Sequence, residues 1–366
     1  IVHKLHILTS QNSEQSLLVL TPLLVNRSIL REMGVEFRIF HELSKGFYDA
    51  DSVIIENRIY REWGVESQDN ITYEMLGELD GRVENVIWFD TTDSTGTTQF
   101  QFLPYVKAYY KSQLLVDKSL YTKVHYGSRI YTDYYRHQFG VVDNTESVTI
   151  PARKDLLGKI RLGWNHSLGD FGYWGKYSRR LRMYLEFTPL FYSTRFALNS
   201  GRTQDVSARF GTGYVRNTIS FQRNQVKHAL DSRQIVTEKI PKSLYLKELS
   251  KSKIAISPFG WGEPSFRDYE IFIQGAALVK PDMSHLLTWP DLYRPHKTYL
   301  PFKWDCSNID QVIEEALENN RWQDIAKNGQ DMYQNYIYAN DKKEEFCKLV
   351  LNMTHNIVDD LSNIPS

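Results

Sequence analysis

Two cysteines, Cys306 and Cys347, in 366 residues leave no material for a disulfide framework and suit a reducing compartment. Charge leans neither way. The 44 Lys and Arg balance 44 Asp and Glu, which removes the global field that draws a protein to nucleic acid or to an acidic membrane. No apolar run approaches the roughly 18 residues of a spanning helix. There is no Gly-x4-Gly-Lys-Ser/Thr loop, no His-Glu-x-x-His and no Gly-x-Ser-x-Gly elbow, which sets aside P-loop, zinc-protease and α/β-hydrolase chemistry. The histidines and two distant cysteines make no zinc spacing, so no metal site is expected. Repeats and low-complexity tracts are missing too.

What is present is length, aromatic side chains and alternation. A chain of 366 residues points to two domains, each with its own core. Aromatic residues make up 13%, with 23 Tyr and 8 Trp, enough to fill cores and leave rings for stacking on sugars. In the N-terminal half, strand-like segments at 4–8, 36–40, 53–56 and 86–89 alternate with helical patterns such as 16–33. That order implies a parallel sheet, whose ligands sit beyond the carboxyl ends of the strands. The strand ends Thr9 to Ser13, Glu56 to Arg58 and Asp90 to Ser94 should therefore face one crevice. Asp90 and Asp93 are the candidate acid–base groups there, with Asp93 favoured because Asp90 lies nearer the strand backbone. Their spacing, with two residues between, is not that of a metal-binding Asp-x-Asp. His125, Arg129, Asp133 and His137 form a weaker second group, interrupted by Gly127. A further strand at 159–163 ends in Trp164-Asn-His-Ser167, and the basic, aromatic stretch 173–196 reads as a connector. Another strand begins near Asp205 and is followed by Gly211-Thr-Gly213. The helical run 218–230 then carries Arg223 and Lys227 one turn apart, either as phosphate contacts or as a solvated face.

The most informative segment is Ser257-Pro-Phe-Gly-Trp-Gly-Glu-Pro-Ser-Phe-Arg-Asp-Tyr-Glu270. Gly260 and Gly262 let backbone approach a ligand closely, and Ser265 with Asp268 makes a variant capping box that starts a helix at Phe266. Gly275 suits the helix end, before the apolar run 276–279. Arg267 in the first turn opposes the helix dipole, and a bound anion would reverse that sign. Helical spacing places Arg267, Glu270 and Gln274 on one face, and Phe266, Tyr269 and Ile273 on a core-facing one. A helix N-terminus, an arginine and a carboxylate one turn deeper can take the phosphates and ribose of a nucleoside diphosphate. A solvated helix with an Arg-Glu pair is the plainer alternative.

This segment resembles the C-terminal half of glycosyltransferases of the two-domain GT-B type, group 1. The likeness continues in Lys242 to Lys253, in Thr298-Tyr-Leu-Pro-Phe, in the helical pattern 308–318 and in the short helix with Ile325-Ala-Lys-Asn-Gly329. Glu263 and Glu270 are separated by six residues, where the family's retaining-type motif has seven. The resemblance implies an α/β fold of two Rossmann-like domains facing a central cleft. Residues 1–195 would bind the acceptor, 196–345 the nucleotide sugar, and 346–366 would form a C-terminal helix returning to the first domain. It implies transfer of a sugar to a hydroxyl acceptor, as in surface polysaccharide synthesis, by a cytoplasmic, metal-independent enzyme without a cofactor. The donor would contact Gly260, Gly262, Glu263, Ser265, Phe266, Arg267 and Glu270, with Arg223 and Lys227 as secondary contacts. The expected partners are a nucleotide-sugar donor and a glycan or other hydroxyl acceptor, and no nucleic acid; a lipid-linked acceptor would bring peripheral membrane association. A nucleotide-sugar epimerase or hydrolase, or a non-catalytic glycan- or nucleotide-binding protein, stays open as an alternative.

Overall fold

The computed structural model describes residues 2–64, 66–145, 147–171, 192–198 and 201–357. The expected connector lies outside the described residues from 173 to 191.

Short runs of Val, Ile, Leu and aromatic residues become strands, those inside each sheet buried on both faces as a parallel sheet requires and some edge strands only in part. In the first half these are β1 (His3–Leu8), β2 (Val35–Phe40), β3 (Ser52–Glu56), β4 (Asn85–Asp90) and β5 (Ala108–Lys111). After β6 (Gln113–Leu115), β7 (Ile160–Leu162) completes a six-stranded parallel sheet in the order β2-β1-β3-β4-β5-β7. β4 is buried at every position. The second half supplies β8 (Gln204–Ser207), β9 (Ser252–Ile256), β10 (Ala277–Pro281) and, after β11 (Leu286–Thr288), β12 (Tyr299–Phe302). They form a parallel sheet in the order β12-β10-β9-β8. Two parallel α/β sheets are the fold class expected from the sequence.

Several devices among the described residues join the halves. β6 and β11 pair antiparallel, Leu286 opposite Leu115. One apolar core runs from the first sheet onto Tyr269, Ile271, Phe272 and Leu278 of the second half, while a separate cluster around Ile254, Ile256, Val279 and Ile313 covers the far face of the second sheet. Finally, the helix Asn340–Thr354 brings its end back to the first sheet. There Asn85 Nδ2 donates to the carbonyls of Met353 and Thr354 at 2.8 and 2.9 Å, and Ser52 Oγ to that of Thr354 at 2.8 Å.

Details depart from expectation for local reasons. The helical pattern 16–33 is two helices, Glu14–Val25 and Arg27–Glu32, separated at Asn26. The short helix expected around Ile325 to Gly329 spans Trp322–Tyr338, because buried Tyr333, Tyr336 and Ile337 extend its apolar face. A helix at 130–139 begins only after Gly127, whose φ of +66° ends any continuation from His125.

Candidate functional site

The helix Phe266–Gln274 has the predicted ends. Ser265 Oγ accepts from the Arg267 amide at 3.3 Å, Asp268 Oδ2 accepts from the Ser265 amide at 2.9 Å, and Gly275 closes the helix in the left-handed region at φ +68°. Its apolar face differs from the prediction. Phe266 is 40% exposed, and the buried positions are Asp268, Tyr269, Ile271, Phe272 and Ile273. A first-turn ring projects past the end of the core, so helical spacing overstated its burial.

Asp268 does more than cap. It accepts from Ser257 Oγ at 2.5 Å and Tyr293 Oη at 2.8 Å, and pairs with Lys280 Nζ at 3.1 Å, both charged groups fully buried. Burial holds the Lys280 ammonium below its usual range, opposed by Asp268. Arg223 is buried, not solvated: Nε donates to the Phe259 carbonyl at 2.6 Å and Nη1 to that of Gly211 at 2.9 Å. It thereby ties the glycine loop after β8 to the one after β9. Burial, with Arg267 adding repulsion, pushes its guanidinium down to about 10. Arg267 lies beside the buried Tyr245 hydroxyl; neither Arg267 Nη1 nor Tyr245 Oη completes a hydrogen bond. Arg223, Arg267 and Lys280 thus lie near enough to repel one another around the helix start. Lys227, by contrast, is half-buried, 4.0 Å from Glu238. Glu270 is paired with Lys242 at 2.9 Å.

The first half meets this loop directly. A methyl group on Gly262 would lie 1.6 Å from the Asp93 carbonyl oxygen, so only glycine permits the approach. Glu263, fully buried, accepts from the Thr95 amide at 3.1 Å and from Thr95 Oγ1 at 2.5 Å, with His285 Nε2 at 3.4 Å. Burial pushes that carboxyl up, but His285 and Thr95 outweigh it, and the net direction is down. Tyr131 Oη donates to the Gly260 carbonyl at 2.8 Å and Arg129 Nε to that of Trp261 at 2.7 Å. Arg129 was read only as part of the weaker second group, and Thr95 and Tyr131 had no signal in the sequence, since each contact depends on how the two halves face.

Among the strand ends of the first half, Thr9, Ser16 and Thr91 converge on buried Glu56. Burial raises that carboxyl's pKa. Asp90 is fully engaged: Tyr109 Oη at 2.6 Å and Lys111 Nζ at 2.8 Å reach one oxygen, and Thr92 N and Oγ1 at 2.9 and 2.6 Å the other. Asp93 is different. Its carboxylate is 41% exposed and accepts from Arg58 Nη2 at 3.0 Å. Asp93 and the Gly262 loop, expected on opposite sides of a cleft, are therefore neighbours. In the second group, Asp133 gathers His125 at 3.6 Å and His137 at 3.4 Å, while Arg129 reaches the junction instead. Among the described residues no group of His, Cys, Asp and Glu has metal-holding geometry, and no helix is long and apolar enough to cross a membrane.

No family profile and no curated protein matches the chain. Solved structures similar to it include an alpha-glucosyltransferase in complex with UDP and a 13-mer DNA, 11% identical over 97% of this chain and 100% of that one, TM-score 0.47. Others are Anabaena HepE in complex with UDP-glucose, 7% identical over 96% and 100%, TM-score 0.44, and a Rickettsia africae glycosyltransferase, 8% identical over 97% and 98%, TM-score 0.44. Identities and scores this low carry no conclusion about chemistry, which rests on the side chains.

Proposed function

We propose that the protein transfers a sugar from a nucleotide donor to a hydroxyl acceptor. The observation that carries this reading is the trio Arg223, Arg267 and Lys280 gathered at a capped helix start beyond the carboxyl ends of a parallel sheet, with Asp268 as the carboxylate paired to one of them. Helix dipole and cations together favour a diphosphate there, and they would stabilise the charge that develops on the leaving nucleotide. That electrostatic role needs no divalent ion, so activity should survive EDTA. Asp93, across the junction and open to solvent, would take the acceptor proton. A thermal-shift screen of nucleoside diphosphates tests the reading: at least one should raise the melting temperature, and the shift should vanish in Arg267→Ala. If no nucleotide stabilises the wild type, the proposal fails.

A further inference from the structure

His166 follows β7 in a tightly held loop. The Asn165 amide donates to the Trp289 carbonyl at 3.0 Å, Asn165 Oδ1 accepts from the Ser167 amide at 2.9 Å, and Tyr333 Oη donates to the Ser167 carbonyl at 2.5 Å. A methyl on Gly169 would fall 2.3 Å from Leu18 Cδ2. The imidazole is thus set on a rigid support, 7% exposed, and its buried Nε2 has no hydrogen-bond partner. Such an orphan is costly, and native interiors seldom keep one without a use. The ring meets that of Phe266 edge to face at 5.8 Å, so it spans from the first half to the start of the helix Phe266–Gln274. Phe171, 5.5 Å from Phe266, extends this aromatic floor. The charges His166 feels are Arg58 and Asp93, the same pair that borders the Gly262 loop.

Burial, helped by Arg58, pushes the imidazole down to about 4. It is neutral at physiological pH, which gives it no charge to offer a phosphate or carboxylate. A base that weak is also poorly matched to removing a proton near neutrality. A neutral imidazole nitrogen, donor or acceptor according to tautomer, suits a group that can be either, and a hydroxyl is such a group.

We propose that His166 Nε2 hydrogen-bonds a sugar hydroxyl held between Asp93 and Phe266, belonging either to the transferred sugar or to the acceptor glycan. This rests on the sugar-transfer reading and names a contact within it. The test uses full-length protein carrying 15N-labelled histidine, with the His166 signal assigned by its loss in His166→Gln. UDP alone should leave that signal in place. A shift with UDP-glucose assigns the contact to the donor sugar; a shift only when maltose is added with UDP assigns it to the acceptor. By calorimetry His166→Phe should weaken the responding sugar ligand about 3- to 10-fold while UDP binds as before, and His166→Gln should recover part of the loss. No shift with either sugar overturns the proposal, as does equal weakening of UDP and of the sugar ligand. If sugars move the signal but UDP does not bind, the donor reading fails and the His166 contact stands.

Discussion

Each half of the molecule buries a lysine–aspartate pair at its strand ends, and the two pairs serve different ends. Lys111 and Asp90 lie 2.8 Å apart in the first half, Lys280 and Asp268 3.1 Å apart in the second, all four side chains fully buried. The first pair is closed on itself: Lys111 also donates to the Thr97 carbonyl at 2.8 Å, and Asp90 takes Tyr109 and Thr92. The second pair is surrounded by cations that it does not neutralise. Asp268 is shared among Lys280, a helix cap, Ser257 and Tyr293, while Arg223 is held by carbonyl oxygens and Arg267 keeps a buried nitrogen without a hydrogen bond. The same pair therefore stiffens a strand end in one place and sits inside a positive site in the other. Glu263 belongs to a different set of contacts, taking Thr95 from across the junction and His285 from its own half.

The largest effects should come from breaking either pair. Lys111→Met and Lys280→Met each strand a buried carboxylate and should cost about 3–5 kcal/mol in urea denaturation. Only Lys280→Met should also weaken nucleotide binding; equal loss of binding in both would erase the distinction between the halves. Next comes Asp93→Asn, expected to slow transfer by about 10²–10⁴-fold with nucleotide affinity nearly unchanged. Turnover at the wild-type rate would remove Asp93 from the chemistry. A smaller effect follows from His166, whose pKa falls from 6.5 to about 4 on folding. Below about pH 6.5 the unfolded chain binds a proton that the folded one refuses, so this contribution is intact above that pH and is lost as pH falls toward 4. Between pH 7.5 and 5 the wild type should lose about 2 kcal/mol more stability than His166→Phe. Parallel pH profiles for the two proteins would show that the imidazole is not held neutral.

How much of this could be read beforehand depended on the range of the interactions. The capping box of Ser265 and Asp268 and the Gly275 stop are local, and both were legible. So was the alternation that builds two parallel sheets. Partners far apart in the chain were not. Nothing near Asp90 announces Lys111, and nothing near Asp268 announces Lys280. Arg223 read as either a phosphate contact or a solvated residue, because helical spacing does not reveal that its side faces the carbonyls of Gly211 and Phe259. His166 had no motif around it, and its interest lies in a missing partner, a property only coordinates carry.

The central claim is that the anion-binding charge belongs to the second half, and it is tested most directly by calorimetry of UDP, or of the diphosphate selected by the thermal screen, on two arginine variants. Arg267→Ala should weaken binding about 10- to 100-fold, the range of a charge-assisted hydrogen bond, while Arg58→Ala, which loosens Asp93 in the first half, leaves it within about twofold. Equal affinities in wild type and Arg267→Ala, or a larger loss in Arg58→Ala, would contradict the account.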